Sequence, residues 1–118
     1  MQRILLRAKI HRCIVSEADP DYVGSMTVPY ELMRELDILE GEQVDVANIA
    51  NGNRWTTYVI GTDKPGYFGL NGAAARLGKP GDLLILMIYG LYSEEEARTH
   101  KARIAFMGPG NKVERIQK

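Results

Sequence analysis

Gln43-Val44-Asp45-Val46-Ala47-Asn48-Ile49-Ala50-Asn51-Gly52-Asn53-Arg54-Trp55-Thr56-Thr57-Tyr58-Val59-Ile60 carries two strand-like runs joined by a turn. Its first part alternates, placing Val44, Val46 and Asn48 on one face of a strand. Its last part is rich in β-branched and aromatic residues, which suit a pleated, half-buried surface. There Arg54, Thr56 and Tyr58 share one face, and Trp55, Thr57 and Val59 share the other. Asn51-Gly52 lies between the two runs and is the strongest hairpin signal in the chain, because both residues tolerate the backbone a tight turn needs.

Similar short segments lie on either side. Ile4 to Ile10 reads as a strand with Ile4, Leu6, Ala8 and Ile10 on one face and Leu5, Arg7 and Lys9 on the other. Cys13-Ile14-Val15 follows, then a turn around Asp19-Pro20, then a short extended piece from Ser25 to Val28. Pro29 to Leu36 reads as a helix, with proline in its first turn and Leu32, Met33 and Leu36 on one side. Asn71 to Ala75 opens a brief helix after a short aromatic strand. Leu83 to Leu91 reads as a buried strand. Ser93 and Glu96 have capping-box spacing. Ile104 to Phe106 and Lys112 to Ile116 read as terminal strands around a Gly108-Pro109-Gly110 turn. Many short strands and little helix predict a mainly β small barrel or sandwich, in one domain spanning residues 1–118.

Composition excludes several classes. Lysine plus arginine total 15, as do aspartate plus glutamate. That balance offers no basic surface for nucleic acid or anionic membrane. The single cysteine, Cys13, permits no internal disulfide. The longest apolar run, Leu83 to Tyr89, is the size of a strand and cannot span a bilayer as a helix. The N-terminus has no signal-peptide pattern. A cytoplasmic, soluble protein is expected.

No metalloprotease, paired-cysteine or P-loop motif is present. His11 and Cys13 read as sharing a strand face, yet two ligands make a poor metal site, so no metal is expected. Tyr22-Val23-Gly24-Ser25-Met26 offers different chemistry. Glycine leaves its carbonyl open to approach, and the next residue's hydroxyl is tethered beside it. An N-to-O acyl shift is therefore possible, provided strain or hydrogen-bond donors favour the ester. Taken alone, a Gly-Ser pair is more often a plain turn.

Lys9-Ile10-His11-Arg12, Tyr22-Val23-Gly24-Ser25, the run from Asn51 to Tyr58, Asn71-Gly72-Ala73-Ala74-Ala75-Arg76 and Gly81-Asp82 occur in that order. Together they resemble the pyruvoyl-dependent aspartate 1-decarboxylases from about Met1 to about Phe106. The resemblance implies a double-psi β-barrel with short helices and a homotetramer with active sites between neighbouring subunits. It also implies self-cleavage between Gly24 and Ser25 into a β chain of residues 1–24 and an α chain of residues 25–118. Ser25 becomes a covalent pyruvoyl group that forms a Schiff base with L-aspartate. The products are β-alanine, for pantothenate and coenzyme A synthesis, and carbon dioxide. Some members need an accessory maturation protein.

The resemblance also assigns roles. Thr57 assists self-cleavage, and Tyr58 protonates the decarboxylated substrate. Lys9 and Arg54 hold substrate carboxylate, as their charge and donor geometry allow. Asn71, Gly72, Ala73 and Ala74 form a substrate-binding turn, where small residues leave backbone N–H groups open to an anion. His11 and Tyr22 lie near the pocket in supporting roles. Ala47 stands where some members carry tryptophan, and the loop Thr62 to Phe68 and the tail after Gly108 follow no recognised pattern. Two other readings stay open: the same scaffold acting on another acidic amino acid such as L-glutamate, and a non-enzymatic small-barrel binding protein.

Overall fold

The computed structural model describes residues 1–118. Nine strands form one sheet: β1 (Gln2–Ile14), β2 (Glu17–Asp19), β3 (Ser25–Pro29), β4 (Gln43–Asn48), β5 (Arg54–Thr62), β6 (Gly69–Asn71), β7 (Leu83–Ser93), β8 (Arg103–Met107) and β9 (Val113–Gln117). Their lateral order is β2-β6-β3-β5-β4-β7-β1-β8-β9. Two short helices, α1 (Tyr30–Leu36) and α2 (Glu94–Thr99), and two 3-10 turns, Gly72–Arg76 and Pro109–Asn111, complete the chain. No helix is long and apolar enough to cross a membrane.

The sheet curls around one core, as a small barrel does. Ala8 and Ile10 of β1, Val28 of β3, Val44 of β4, Val59 of β5 and Leu86 of β7 all belong to a single buried cluster. Strands several places apart in the lateral order share that interior only if the sheet wraps round it. α1 covers one end through Leu32, Met33 and Leu36. Pro29, the last residue of β3, stands at its N-cap rather than in its first turn. The expected mainly β class with short helices is what forms.

The opening hairpin pairs as expected, Val44 with Thr57 and Val46 with Trp55. Val44, Val46 and Asn48 are buried. The connection spans residues 49–53, with Gly52 at φ 76° and its N–H bonded to the Asn48 carbonyl. The capping box of α2 forms, Glu96 N–H to Ser93 Oγ at 3.1 Å and Ser93 N–H to Glu96 Oε1 at 2.9 Å.

Three strand readings need correction. In β1, Leu6 pairs with Tyr89 and Ala8 with Ile88. Arg7 is the extra residue of a bulge, so the strand changes face there. Ile4 and Leu6 therefore do not share the inner face of Ala8 and Ile10, and Ile4 is 70% exposed. A second bulge falls at Arg12, φ 72°, between His11, paired with Ile85, and Cys13, paired with buried Leu84. His11 and Cys13 lie on opposite faces, not one. Finally, β7 is not buried throughout: Leu84, Leu86 and Ile88 point inward, while Leu91 is 63% exposed. The tail is well tied. Asn111 receives the Ile14 N–H and donates to the carbonyls of Ile14 and Gly66, at 2.7 to 2.8 Å.

Candidate active site

Ser25 begins β3, where the chain passes from solvent into the barrel wall. Tyr22, Val23 and Gly24 are exposed, whereas Ser25 is 1% exposed. The peptide bond between Gly24 and Ser25 thus lies on that boundary. On one side β3 pairs with β6, Ser25 opposite Asn71. On the other it runs parallel to β5, Met26 opposite Val59, so Thr57 and Tyr58 lie at the level where β3 begins. The sequence residues Gly24, Ser25, Thr57, Tyr58, Asn71 and Gly72 are therefore brought to one end of three adjacent strands.

The Asn71 side chain does more than its place in a helix-opening turn implies. Its Nδ2 donates to Ser25 Oγ at 2.9 Å and to Thr27 Oγ1 at 2.8 Å. Ser25 Oγ in turn donates to the Val23 carbonyl at 3.4 Å. A buried hydroxyl is thereby held in one orientation, with a donor ready for negative charge on its oxygen. Sequence reasoning misses Thr27. It lies two residues from Ser25, hence on the same strand face, and that spacing is the one signal that points to it.

The turn after Asn71 is a 3-10 helix from Gly72 to Arg76. Ala73 is exposed and Ala74 buried. Its far end is anchored by three asparagine side chains. The Nδ2 groups of Asn48, Asn51 and Asn53 all donate to the Leu77 carbonyl, at 3.1, 3.1 and 3.3 Å. Asn48 also donates to Asp82 Oδ2 at 2.9 Å. That amide, aided by the Lys79 N–H, holds the Asp82 carboxyl below its ordinary value. Sequence reasoning misses this network too; an asparagine on the inner face of a strand, at position 48, is its only trace.

The cationic residues lie elsewhere on the wall. Residues paired laterally in a sheet share a face. One outward row runs Arg54, Ala47, Ile85, His11, and the next runs Thr56, Asp45, Met87, Lys9. Three lateral steps of about 4.8 Å along the curved wall separate the strand of His11 and Lys9 from β5. Arg54 stands roughly 13 Å along β5 from Tyr58. One copy of the chain thus does not gather Lys9, His11 and Arg54 beside Ser25. His11 packs edge-on against Phe106, ring centroids 5.8 Å apart, and its Nδ1 is buried without a hydrogen-bond partner. Burial, then Lys9 and Arg12, lowers its pKa. Tyr58 is 38% exposed and Tyr22 52% exposed. No cluster of three or more histidine, cysteine, aspartate or glutamate side chains is placed to hold a metal ion.

The sequence model of the aspartate decarboxylase family matches residues 1–114. The chain is also 48% identical over 114 residues to the aspartate 1-decarboxylase of Acetivibrio thermocellus, covering 96% of this chain and 90% of that protein.

Proposed function

The chain belongs to the aspartate decarboxylase family, and on that premise we propose that it removes the α-carboxylate of L-aspartate, giving β-alanine and carbon dioxide, after cutting its own backbone between Gly24 and Ser25. The observation that carries the second part is the buried Ser25 Oγ, fixed by Asn71 Nδ2 at 2.9 Å immediately after an exposed glycine.

Cleavage begins when Ser25 Oγ attacks the Gly24 carbonyl carbon. The Gly24 C–N bond breaks, an ester C–O bond forms, and the hydroxyl proton ends on the freed Ser25 amine. Asn71 stabilises charge on Oγ, and the Thr57 hydroxyl is assigned to the Gly24 carbonyl oxygen. Loss of the residue 25 Cα proton then expels the Gly24 carboxylate and leaves dehydroalanine. Water converts that to a pyruvoyl group and releases ammonia. What supports such a group is the side-chain amide donor of Asn71 beside position 25.

A pyruvoyl group at position 25 supplies an electrophilic ketone that takes up the substrate amine and draws electrons from Cα as carbon dioxide leaves. The chain's own residues do the rest. Arg54 grips a carboxylate with parallel hydrogen bonds and Lys9 adds a compact charge. Tyr58 returns a proton to Cα. The turn from Asn71 to Ala74 lines the substrate's other side, and His11 and Tyr22 support the pocket. Because Lys9, His11 and Arg54 stand apart from Ser25 within one chain, a neighbouring copy supplies part of each site in a homotetramer. The exposed apolar side chains Ile4, Tyr89 and Leu91 favour such an assembly. A cytoplasmic setting suits the single buried thiol of Cys13.

Intact-mass measurement under denaturing conditions tests the reading. It expects fragments of 24 and 94 residues (118 − 24), with only the larger labelled by a carbonyl reagent. Product assays on L-aspartate and L-glutamate then set the substrate. An intact, unlabelled chain releasing no carbon dioxide refutes the whole proposal, and faster turnover of glutamate refutes the substrate alone.

A further inference from the structure

We infer that Gly72 is a positioning residue for self-cleavage: its missing side chain lets the 3-10 turn seat directly on the backbone of Gly24, fixing the bond that is cut. The inference rests on the self-cleavage reading and deepens it, since Gly72 otherwise enters only as part of the substrate-binding turn.

The observation is steric. A Cβ at position 72 would fall 2.7 Å from Gly24 Cα, 3.0 Å from Gly24 N and 3.2 Å from the Tyr22 carbonyl oxygen. All three are backbone atoms, so no side-chain rotation relieves the collision. Gly24 itself is far less confined. A Cβ there would meet only the Asn71 carbonyl oxygen, at 4.0 Å, an ordinary contact. At this junction the need for empty space lies on residue 72 rather than on the residue whose carbonyl is attacked.

Its place in the chain gives the seat its consequence. Asn71, the preceding residue, pairs with Ser25 in the sheet and holds Ser25 Oγ. Asn71 and Gly72 therefore hold the two sides of the scissile bond, the nucleophile and the acyl residue. Attack requires Oγ and the carbonyl carbon at near-attack separation, and a displacement of about 1 Å can cost roughly 10²-fold in rate. A methyl group at position 72 forces a shift of that order between Gly24 and the turn.

Gly72 has φ 72°, so alanine there also carries backbone strain. Gly110, at φ 70° with nothing within 4 Å of the place its Cβ would take, isolates the strain from the collision. The experiment follows cleavage of freshly expressed full-length protein by denaturing gel and intact mass, with folding checked by circular dichroism and thermal melting. Decarboxylation is not the readout, because residue 72 also faces substrate. Gly72→Ala is expected to cleave about 10²-fold more slowly than the unsubstituted chain, and Gly110→Ala at the unsubstituted rate. Gly72→Asn retains the Cβ while tolerating positive φ better, and is expected to be slow as well. Folded Gly72→Ala or Gly72→Asn cleaving at the unsubstituted rate overturns the inference. So does failure of both to fold while Gly110→Ala folds, which makes the seat a folding requirement instead. An unsubstituted chain that never cleaves is a different outcome: it overturns the self-cleavage reading itself.

Discussion

The Gly24–Ser25 junction and the outer face that carries Arg54, Lys9 and His11 occupy the same barrel wall, yet they differ in how much one chain supplies. At the junction, Ser25 is buried, its oxygen has an assigned donor, and Gly72 abuts Gly24 through backbone atoms. Every one of these contacts lies within a single copy. On the outer face, Arg54 on β5 is separated from Lys9 and His11 on β1 by β4 and β7, with half-buried Ile85 and Met87 on β7 between them. The contrast assigns different requirements to the two reactions. On the proposed reading, cleavage draws on contacts within one folded chain, whereas turnover draws on residues of a neighbouring copy.

The largest expected effect breaks the junction outright. Ser25→Ala removes the nucleophile, so the chain remains one piece and shows no decarboxylation. Intact mass and carbon dioxide release check this together. Cleavage of that variant at the same bond would falsify the role of Ser25. Arg54→Ala tests the other half of the contrast. Losing charge-assisted hydrogen bonds of this kind costs roughly 10²-fold in kcat/KM, chiefly through KM, while cleavage proceeds normally. A variant that also fails to cleave would erase the distinction between the two regions.

A smaller effect concerns how the junction is supported from behind. Asn48 donates to both the Leu77 carbonyl and Asp82, and its Oδ1 receives the Ala50 N–H. Asn48→Ala leaves buried polar partners unsatisfied, at a cost of about 2–3 kcal/mol. Urea denaturation should register that loss. Because the turn is anchored at Leu77, the same variant should also cleave more slowly than its stability alone predicts. A full loss of stability with normal cleavage would show that the anchor does not reach the junction.

The sequence made the inner wall legible and the outer wall much less so. Alternation in the hairpin correctly placed Val44, Val46 and Asn48, because one solvent-averse face imposes a period of two. The same logic failed in β1, where bulges at Arg7 and Arg12 each insert a residue and reverse the facing. A bulge leaves no mark in hydrophobic pattern when both faces carry apolar residues, as Ile4 to Ile10 do. At the site, Ser25, Asn71 and Gly72 were legible only through their ordered resemblance to a family. Thr27, Asn48 and the three-asparagine anchor were not, because they depend on contacts 24 to 44 residues apart in sequence.

The smallest expected effect is a pH dependence on the outer face. The groups around His11 are cationic: Lys9 and Arg12 on its own strand, and Arg115 stacked on Phe106 at 4.0 Å. Burial is the leading cause of its lowered pKa, with Lys9 and Arg12 next. The unfolded chain therefore binds a proton at this site more readily than the folded one. Its contribution to stability is complete above the ordinary histidine value of about 6.5 and declines as pH falls toward the folded value, below which it no longer changes. His11→Gln should flatten that part of the stability profile. An NMR titration of the His11 ring gives the sharper reading. A pKa below 6.5 in the assembled protein means that only cations and apolar groups face the ring. A pKa at or above 6.5 means that a carboxylate from a neighbouring copy has reached it, and the outer face would then be completed by an acidic partner surface rather than an apolar one.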